Sequence, residues 1–275
     1  MNPIFAFLAF VSVFFIDSCR SDQVKQVFET ENVVIIVVDG ARYSECWGDP
    51  THANIPNLDS LKSKGVFFPN FLCEGRTRTV PGHTALLTGV YEDIDNYGLE
   101  IPKNPTIFQY WAEETEASST DTWLIASKDK LHVLGNCERS DWKDRFLPET
   151  HCGVNGVGLQ SGYQNDSATV EQGLEILEMH HPKLVLINLR EPDYSGHGGN
   201  WNEYLTGLQK SDAYVKEIME FINNDPVYAG KTSVFITSDH GRHLDGVADG
   251  FASHGDNCEG CQHNGMLAIG PDFTP

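Results

Sequence analysis

"NVVIIVVDG", Asn32 to Gly40, is the stretch on which the fold turns. Its unbroken run of Val and Ile from Val33 to Val38 predicts a strand buried on both faces, as in a parallel sheet covered by helices on either side. The run ends on an acid, Asp39. In open parallel sheets the chemistry gathers beyond the carboxyl ends of the strands, so an acid there marks the edge to watch. Alone, a strand-terminal Asp-Gly is an ordinary turn.

Working outward, "TWLIAS" (Thr122 to Ser127), "KLVLINLR" (Lys183 to Arg190) and "KTSVFITSDHG" (Lys231 to Gly241) read as further strands of the same kind, and "MLAIG" (Met266 to Gly270) as a fifth. Between them, "SATVEQGLEILEMHH" and "NEYLTGLQKSDAYVKEIMEFINN" carry apolar residues at helical spacing, and "NPTIFQYWAEE" reads as a shorter helix. Alternating strands and helices predict an α/β fold, a three-layer sandwich with a mostly parallel central sheet. The 275 residues suit one domain, and no repeat or linker divides them.

Nineteen Lys and Arg against thirty-nine Asp and Glu give a formal net charge of -20, which argues against a nucleic-acid surface. A chain this acidic must gather cations locally if it handles an anionic substrate. Metal ions would do so, and eleven histidines make that worth pursuing.

The N-terminus, "MNPIFAFLAFVSVFFIDSCRSDQ", holds an apolar run from Ile4 to Ile16, too short to span a bilayer but fitted to the core of a signal peptide. Residues 1–19 are expected to be that signal, with Cys19 after the small Ser18 resembling the lipidated cysteine of a bacterial lipoprotein. The single domain, 20–275, is then exported as part of a periplasmic or cell-envelope lipoprotein anchored through Cys19 as the first residue of the mature chain, or else secreted. Six cysteines remain, an even number suited to disulfides in an oxidising compartment. Cys137 with Cys152 and Cys258 with Cys261 are the local pairings expected, which leaves Cys46 with Cys73.

The strand ends carry the chemistry. Asp39 follows the first strand, Asp193 and His197 follow the third in "NLREPDYSGHGG", and Asp239 with His240 end the fourth in "ITSDHG". Singly, each has an ordinary structural explanation. Together they bring carboxylates and imidazoles to one sheet edge, a donor set suited to zinc-like ions and to a bimetallic hydrolase site.

In order along the chain, "VVDGAR", "TVPGHTALLTG", "DYSGHGG", "SDHGR" and "SHGDN" before "AIGPDF" resemble the alkaline phosphatase superfamily, in its type I phosphodiesterase and nucleotide pyrophosphatase-like branch. The resemblance spans Val33 to Phe273. It implies two divalent metal ions, with zinc expected: one held by Asp39, Asp239, His240 and the Thr79 oxygen, the other by Asp193, His197 and a late histidine. Thr79, in the family's Thr/Ser-x-Pro-x-His stretch, is implied as the nucleophile, and a hydroxyl at a helix N-terminus beside a cation suits that role.

For the late histidine, His254-Gly255-Asp256-Asn257 matches the family's His-Gly-x-Asp-Asn one residue short, so His254 is chosen over His263. His254, Cys258, Cys261 and His263 also make a donor set for a separate structural zinc, against which the Cys258–Cys261 disulfide is preferred. In "LIASKDKLHVL", Lys128 and Lys130 resemble the Lys-Asp-Arg segment with which monoesterases of this superfamily hold the extra phosphate charge, and Asn96 is a third oxygen-binding candidate. The function implied is hydrolysis of a small phosphorylated substrate through a phosphothreonine intermediate, with a phosphomonoesterase placed ahead of the alternative phosphodiesterase or nucleotide pyrophosphatase. A sulfatase needs Cys or Ser where Thr79 stands and Arg where His83 stands. A non-catalytic metal-binding lipoprotein would have no reason to keep Thr79. The chain stops shortly after "AIGPDF", where relatives carry a C-terminal extension, so the sheet is expected to lack an edge element, and short loops suggest a small or exposed substrate.

Overall fold

The computed structural model describes residues 27–273 and 275, so the expected signal segment and Cys19 lie outside the described residues. β1 (Asn32–Val38) forms where the Val/Ile run predicts it and lies fourth in a seven-stranded sheet. β5 (Leu184–Leu189) and β6 (Thr232–Thr237) flank it in parallel register, Val34 opposite Val185 and Val234. β3 (Thr122–Ala126) lies outside β5 and β4 (Glu149–Cys152) outside β3, again parallel. On the other side β7 (Met266–Ile269) pairs antiparallel with β6, and β2 (Gly65–Phe68) pairs antiparallel with β7.

β2 forms one edge of the sheet, and its four residues are too short and too mixed in burial to stand out from sequence. β4, "ETHC", was not foreseen for the same reason: only its last residue is buried.

Strand alternation distributes the core to both faces. Val34, Ile36, Val38, Val185, Ile187 and Leu189 pack in one apolar cluster with Leu58, Leu61, Val170, Leu177, Leu208 and Val215. These belong to α1 (Pro56–Lys62), α4 (Asp166–His180) and α6 (Trp201–Asn224). Val37, Leu124, Ala126, Leu184 and Leu186 face a second cluster with Val80, Leu87 and Phe108, from α2 (Thr79–Thr88) and α3 (Ile107–Thr115). The three-layer sandwich is thus the observed architecture. Each wholly buried aliphatic side chain contributes about 1.5–3 kcal/mol, which is why continuous apolar runs pay off only when both faces are covered.

α6 shows how such a layer is written. Asn200 caps it by accepting from Asn202 N and Glu203 N at 3.1 and 3.3 Å, and Tyr204, Leu208, Ser211, Val215, Ile218 and Ile222 recur along its buried face. α5 (Asp193–His197) and α7 (Glu259–Gln262) are single turns.

The disulfides expected are not present: all six cysteines from Cys46 to Cys261 are free thiols. Cys46 packs in the first apolar cluster, whereas the Cys73 thiol faces Arg76 O at 3.9 Å. Cys152 is buried at the end of β4, its thiol directed at Leu124 O at 3.6 Å rather than at Cys137. Cys258 and Cys261 are neighbours across α7 but unbonded.

Candidate active site

β1, β5 and β6 are adjacent, so their carboxyl ends bring three acids together. Asp39 stands directly after β1, Asp239 two residues after β6, and Asp193 opens α5 after β5. Backbone bonds bind these ends to one another: Asp39 N donates to Leu189 O at 3.0 Å and Asp193 N to Asp39 O at 3.0 Å. Gly40 has φ +65, and a Cβ there would lie 2.8 Å from the Asp193 carboxylate, so glycine at this position is what allows the close approach. All three acids are at most 3% exposed.

Two groups of donors result. Asp39, Asp239 and His240 each present one atom within 4.8 Å of the others, and all three are buried. Asp193, His197 and His254 form the second group on the same criterion, more open because His197 is exposed. His240 Nδ1 donates to Gly241 O at 2.9 Å, and His254 Nδ1 to Thr77 O at 2.7 Å. A neutral ring so tethered carries its lone pair on Nε2, and both Nε2 atoms face their group. His240 Nε2 lies 3.4 Å from Asp239 Oδ2, and His254 Nε2 lies 3.3 Å from Asp193 Oδ1 and 3.1 Å from His197 Nε2. His263 is elsewhere, stacked on Tyr43 at 3.6 Å between ring centroids, with Nε2 donating to Pro69 O.

Thr79, 1% exposed, is the first residue of α2. α2 is buried nearly all round, and its other hydroxyls turn inward on the helix: Thr84 Oγ1 donates to Val80 O and Thr88 Oγ1 to Thr84 O, both at 2.8 Å. Thr77 Oγ1 donates to Asp256 O at 2.7 Å, tying the segment before α2 to the segment that carries His254. The Thr79 hydroxyl has no such helix partner. It accepts from Lys128 Nζ at 3.1 Å.

Lys128 is 1% exposed, and its ammonium donates to Asp39 Oδ1 at 2.8 Å and to Asp193 Oδ2 at 2.6 Å, so it bridges the two groups. Three acids buried together require such a cation. Lys130 follows in a 3-10 turn and is 8% exposed; burial, and then the charge of Lys128, pulls its pKa down to about 8. Asn96 is half-buried beside the N-terminus of α2, its Oδ1 accepting from Val80 N at 2.9 Å.

Three further residues shape the site. His83 Nδ1 donates to Thr79 O at 2.8 Å and lies 3.2 Å from Asp239 Oδ2. Asn188 Nδ2 donates to Asp39 Oδ2 at 3.1 Å. Arg242, wholly buried, bonds Asp193 Oδ1 and Phe251 O. Asn188 had a legible signal, being the one polar residue in "LVLINL". Arg242 had only its place in "SDHGR".

The electrostatics follow from burial and pairing. Burial opposes the Asp193 carboxylate, but Lys128, His197 and His254 outweigh it and hold its pKa well below the usual range. Burial draws His240 down to about 3 against the opposing pull of Asp239. His240 is therefore neutral at pH 7. For His83 burial works downward, yet Asp239 and Asp39 prevail and raise its pKa.

Residues 33–243 match the family described as type I phosphodiesterase / nucleotide pyrophosphatase. The chain is 24% identical over 247 residues to ectonucleotide pyrophosphatase/phosphodiesterase family member 3 of Rattus norvegicus, covering 82% of this chain and 27% of that protein. Against family member 1 of Homo sapiens it is 25% identical over 241 residues, covering 82% and 25%. It thus spans about a quarter of the length of these relatives. A solved structure of an alkaline phosphatase superfamily protein from Vibrio parahaemolyticus superposes with a TM-score of 0.60 at 16% identity, over 90% of this chain and 61% of that one, a likeness of fold. The family match covers the strand ends, α2 and most of the site just described, and the chain belongs to the type I phosphodiesterase/nucleotide pyrophosphatase family.

Proposed function

We propose that the chain hydrolyses phosphodiesters or pyrophosphates of small molecules, nucleotides among them, with Thr79 as nucleophile. The observation that carries this is the place of the Thr79 hydroxyl at the start of α2, bonded to the same Lys128 ammonium that joins Asp39 of one donor group to Asp193 of the other. The family match supports the diester side, and so do the two lysines. A dianionic monoester rewards extra cations more than a monoanionic diester does. Here Lys128 donates to two carboxylates, Asp39 and Asp193, and Lys130 stands where the resembled segment has Arg, which loses bidentate geometry for a second phosphate charge. The phosphomonoesterase reading accordingly yields to its alternative.

The residues fit a metal-dependent enzyme. Asp239 Oδ2 and His240 Nε2 are buried without a hydrogen-bond partner, and carboxylate oxygen with imidazole nitrogen is the donor set of zinc-like ions. Asp39, Asp239, His240 and Thr79 would hold one divalent ion, and Asp193, His197 and His254 a second. Bound there, such ions neutralise the carboxylates, acidify a hydroxyl and draw charge from phosphoryl oxygens.

The chain's own groups do the rest. Thr79 Oγ1 gives up its proton to solvent and attacks phosphorus in line, the leaving oxygen departs with its bonding pair and takes a proton from water, and the remaining phosphoryl ester is left on Thr79. The α2 dipole and the Lys128 ammonium favour the negative charge that develops on Oγ1. His83, bonded to Thr79 O, fixes the first turn of the helix. Asn96, its oxygen engaged by Val80 N, keeps its amide group as a donor for a non-bridging oxygen. Water hydrolyses the ester and returns the free hydroxyl.

The test is turnover of bis-p-nitrophenyl phosphate against p-nitrophenyl phosphate by zinc-loaded wild type and Thr79→Ala. Faster turnover of the diester, abolished in Thr79→Ala, is expected. Preference for the monoester would restore the phosphomonoesterase reading, and no turnover of either would remove hydrolysis.

A further inference from the structure

A third cluster of metal-ligating side chains lies outside the site used for hydrolysis. His243, Asp256, Cys258 and Cys261 each present one donor atom, all within 4.8 Å of one another. Neither histidine that sequence spacing suggests for such a set takes part: His254 faces Asp193, and His263 is stacked on Tyr43.

His243 and Cys261 are buried, while Cys258 is partly buried and Asp256 lies at the surface. His243 is 5% exposed, its Nδ1 is engaged with Ser253 Oγ at 2.8 Å, and its Nε2 is buried without a hydrogen-bond partner. Such an outer bond fixes the ring and leaves the inner nitrogen for a ligand. Asp256 Oδ1 accepts from Cys258 N at 2.9 Å, which leaves Oδ2 3.1 Å from His243 Nε2. Cys258 caps α7 and Cys261 is fully buried in it, so the single helical turn sets the two sulfurs in a Cys-x-x-Cys arrangement. A tetrahedral zinc, with bonds of about 2.3 Å to sulfur and about 2.0 Å to nitrogen or oxygen, separates its ligands by roughly 3.5–4 Å. The four donor atoms, all within 4.8 Å of one another, are grouped on that scale.

We propose that His243, Asp256, Cys258 and Cys261 bind a structural zinc ion that clasps the segment between β6 and β7. Two thiolates select zinc over harder divalent ions, and four protein ligands close the site to chemistry. The clasp joins two stretches that already touch through backbone: Gly241 N donates to Cys261 O at 2.7 Å and His243 N to Ser253 O at 3.1 Å. Between its ligands runs the loop that bears His254, so the ion would set where that imidazole stands relative to Asp193. None of the four ligands belongs to the groups assigned to hydrolysis, and the clasp stands or falls apart from that assignment.

The experiment takes the full chain, reduced and freed of metal by chelation, and titrates it with Co2+ alone. A near-ultraviolet thiolate-to-cobalt charge-transfer band is expected as one ion per chain binds, lost in Cys258→Ser/Cys261→Ser and retained in His254→Ala. The oxygen and nitrogen donors of the other two groups produce no such band. Cobalt uptake by wild type without a thiolate band overturns the proposal, as does a band that survives the double cysteine substitution. If the double variant does not fold, zinc-edge X-ray absorption of the zinc-loaded wild type decides: sulfur in the zinc shell supports the clasp, and its absence refutes it.

Discussion

Gly82→Ala tests whether the first turn of α2 is held against the end of β6 as tightly as catalysis at Thr79 requires. A methyl group on Gly82 would meet Asp239 O at 2.5 Å and Asp239 Cβ at 3.1 Å. The nearest obstacle is backbone, so no side chain can swing aside. Reaching an ordinary contact of 3.4 Å moves the helix from the strand end by about 1 Å. Two effects oppose each other. Inside a helix Ala is favoured over Gly by about 1 kcal/mol, while overpacking a buried contact costs about 1–3 kcal/mol. Gly82 and Asp239 are both buried, so overpacking prevails and the melting temperature falls by a few degrees. Activity suffers more. Thr79 is one turn before Gly82, and Asp239 belongs to the first donor group, so the displacement falls directly on their separation. A misplacement of about 1 Å at reacting groups lowers kcat/KM on the order of 100-fold. The assay is diester turnover by the zinc-loaded variant beside its thermal unfolding curve. Gly89→Ala serves as control: its φ of +70 strains the C-cap, but nothing lies within 4 Å of the added methyl, so only stability should fall. A Gly82→Ala protein that melts higher than wild type and turns over diester undiminished would refute the reasoning.

Lys130→Met is expected to stabilise the fold by up to about 3 kcal/mol at pH 7, because burial lowers the lysine's pKa from its ordinary 10.5 to about 8. The sign follows from proton binding: below pH 8 both folded and unfolded chains carry the proton and the penalty is whole, and it fades as pH rises from 8 towards 10.5. Denaturant unfolding at pH 7 and pH 10 checks this, and an equal gain at both would contradict it. Asn96→Asp keeps the oxygen that accepts from Val80 N but brings a negative charge towards the substrate, so stability should hold while diester kcat/KM falls. Equal activity would reduce Asn96 to a helix cap.

The fold was legible where the physics is local and repetitive. β1, β5 and β6 are runs of buried aliphatics, and α6 repeats its apolar face over 24 residues, so each declares itself by period. β2 and β4 have four residues each and rely on their neighbours for definition. α2 has no apolar face to detect because it is buried nearly all round, and motif order, not periodicity, drew attention to it. The acids at the strand ends could be read because parallel topology dictates where the strands end together. The bridging position of Lys128 could not, since it depends on how three buried carboxylates share one cation. The same holds for the cysteines, whose even count suggested bridges, while packing set Cys46 in an apolar cluster and turned the Cys73 and Cys152 thiols to backbone carbonyls.

The central claim is that Thr79 becomes esterified to phosphorus. Zinc-loaded protein mixed with bis-p-nitrophenyl phosphate, quenched in acid within the first turnover and digested for peptide mass analysis, tests it most directly. The account predicts release of p-nitrophenol together with a p-nitrophenyl phosphoryl group on Thr79, and no adduct with Thr79→Ala. Turnover by Thr79→Ala at the wild-type rate, or an adduct on another residue, would contradict it.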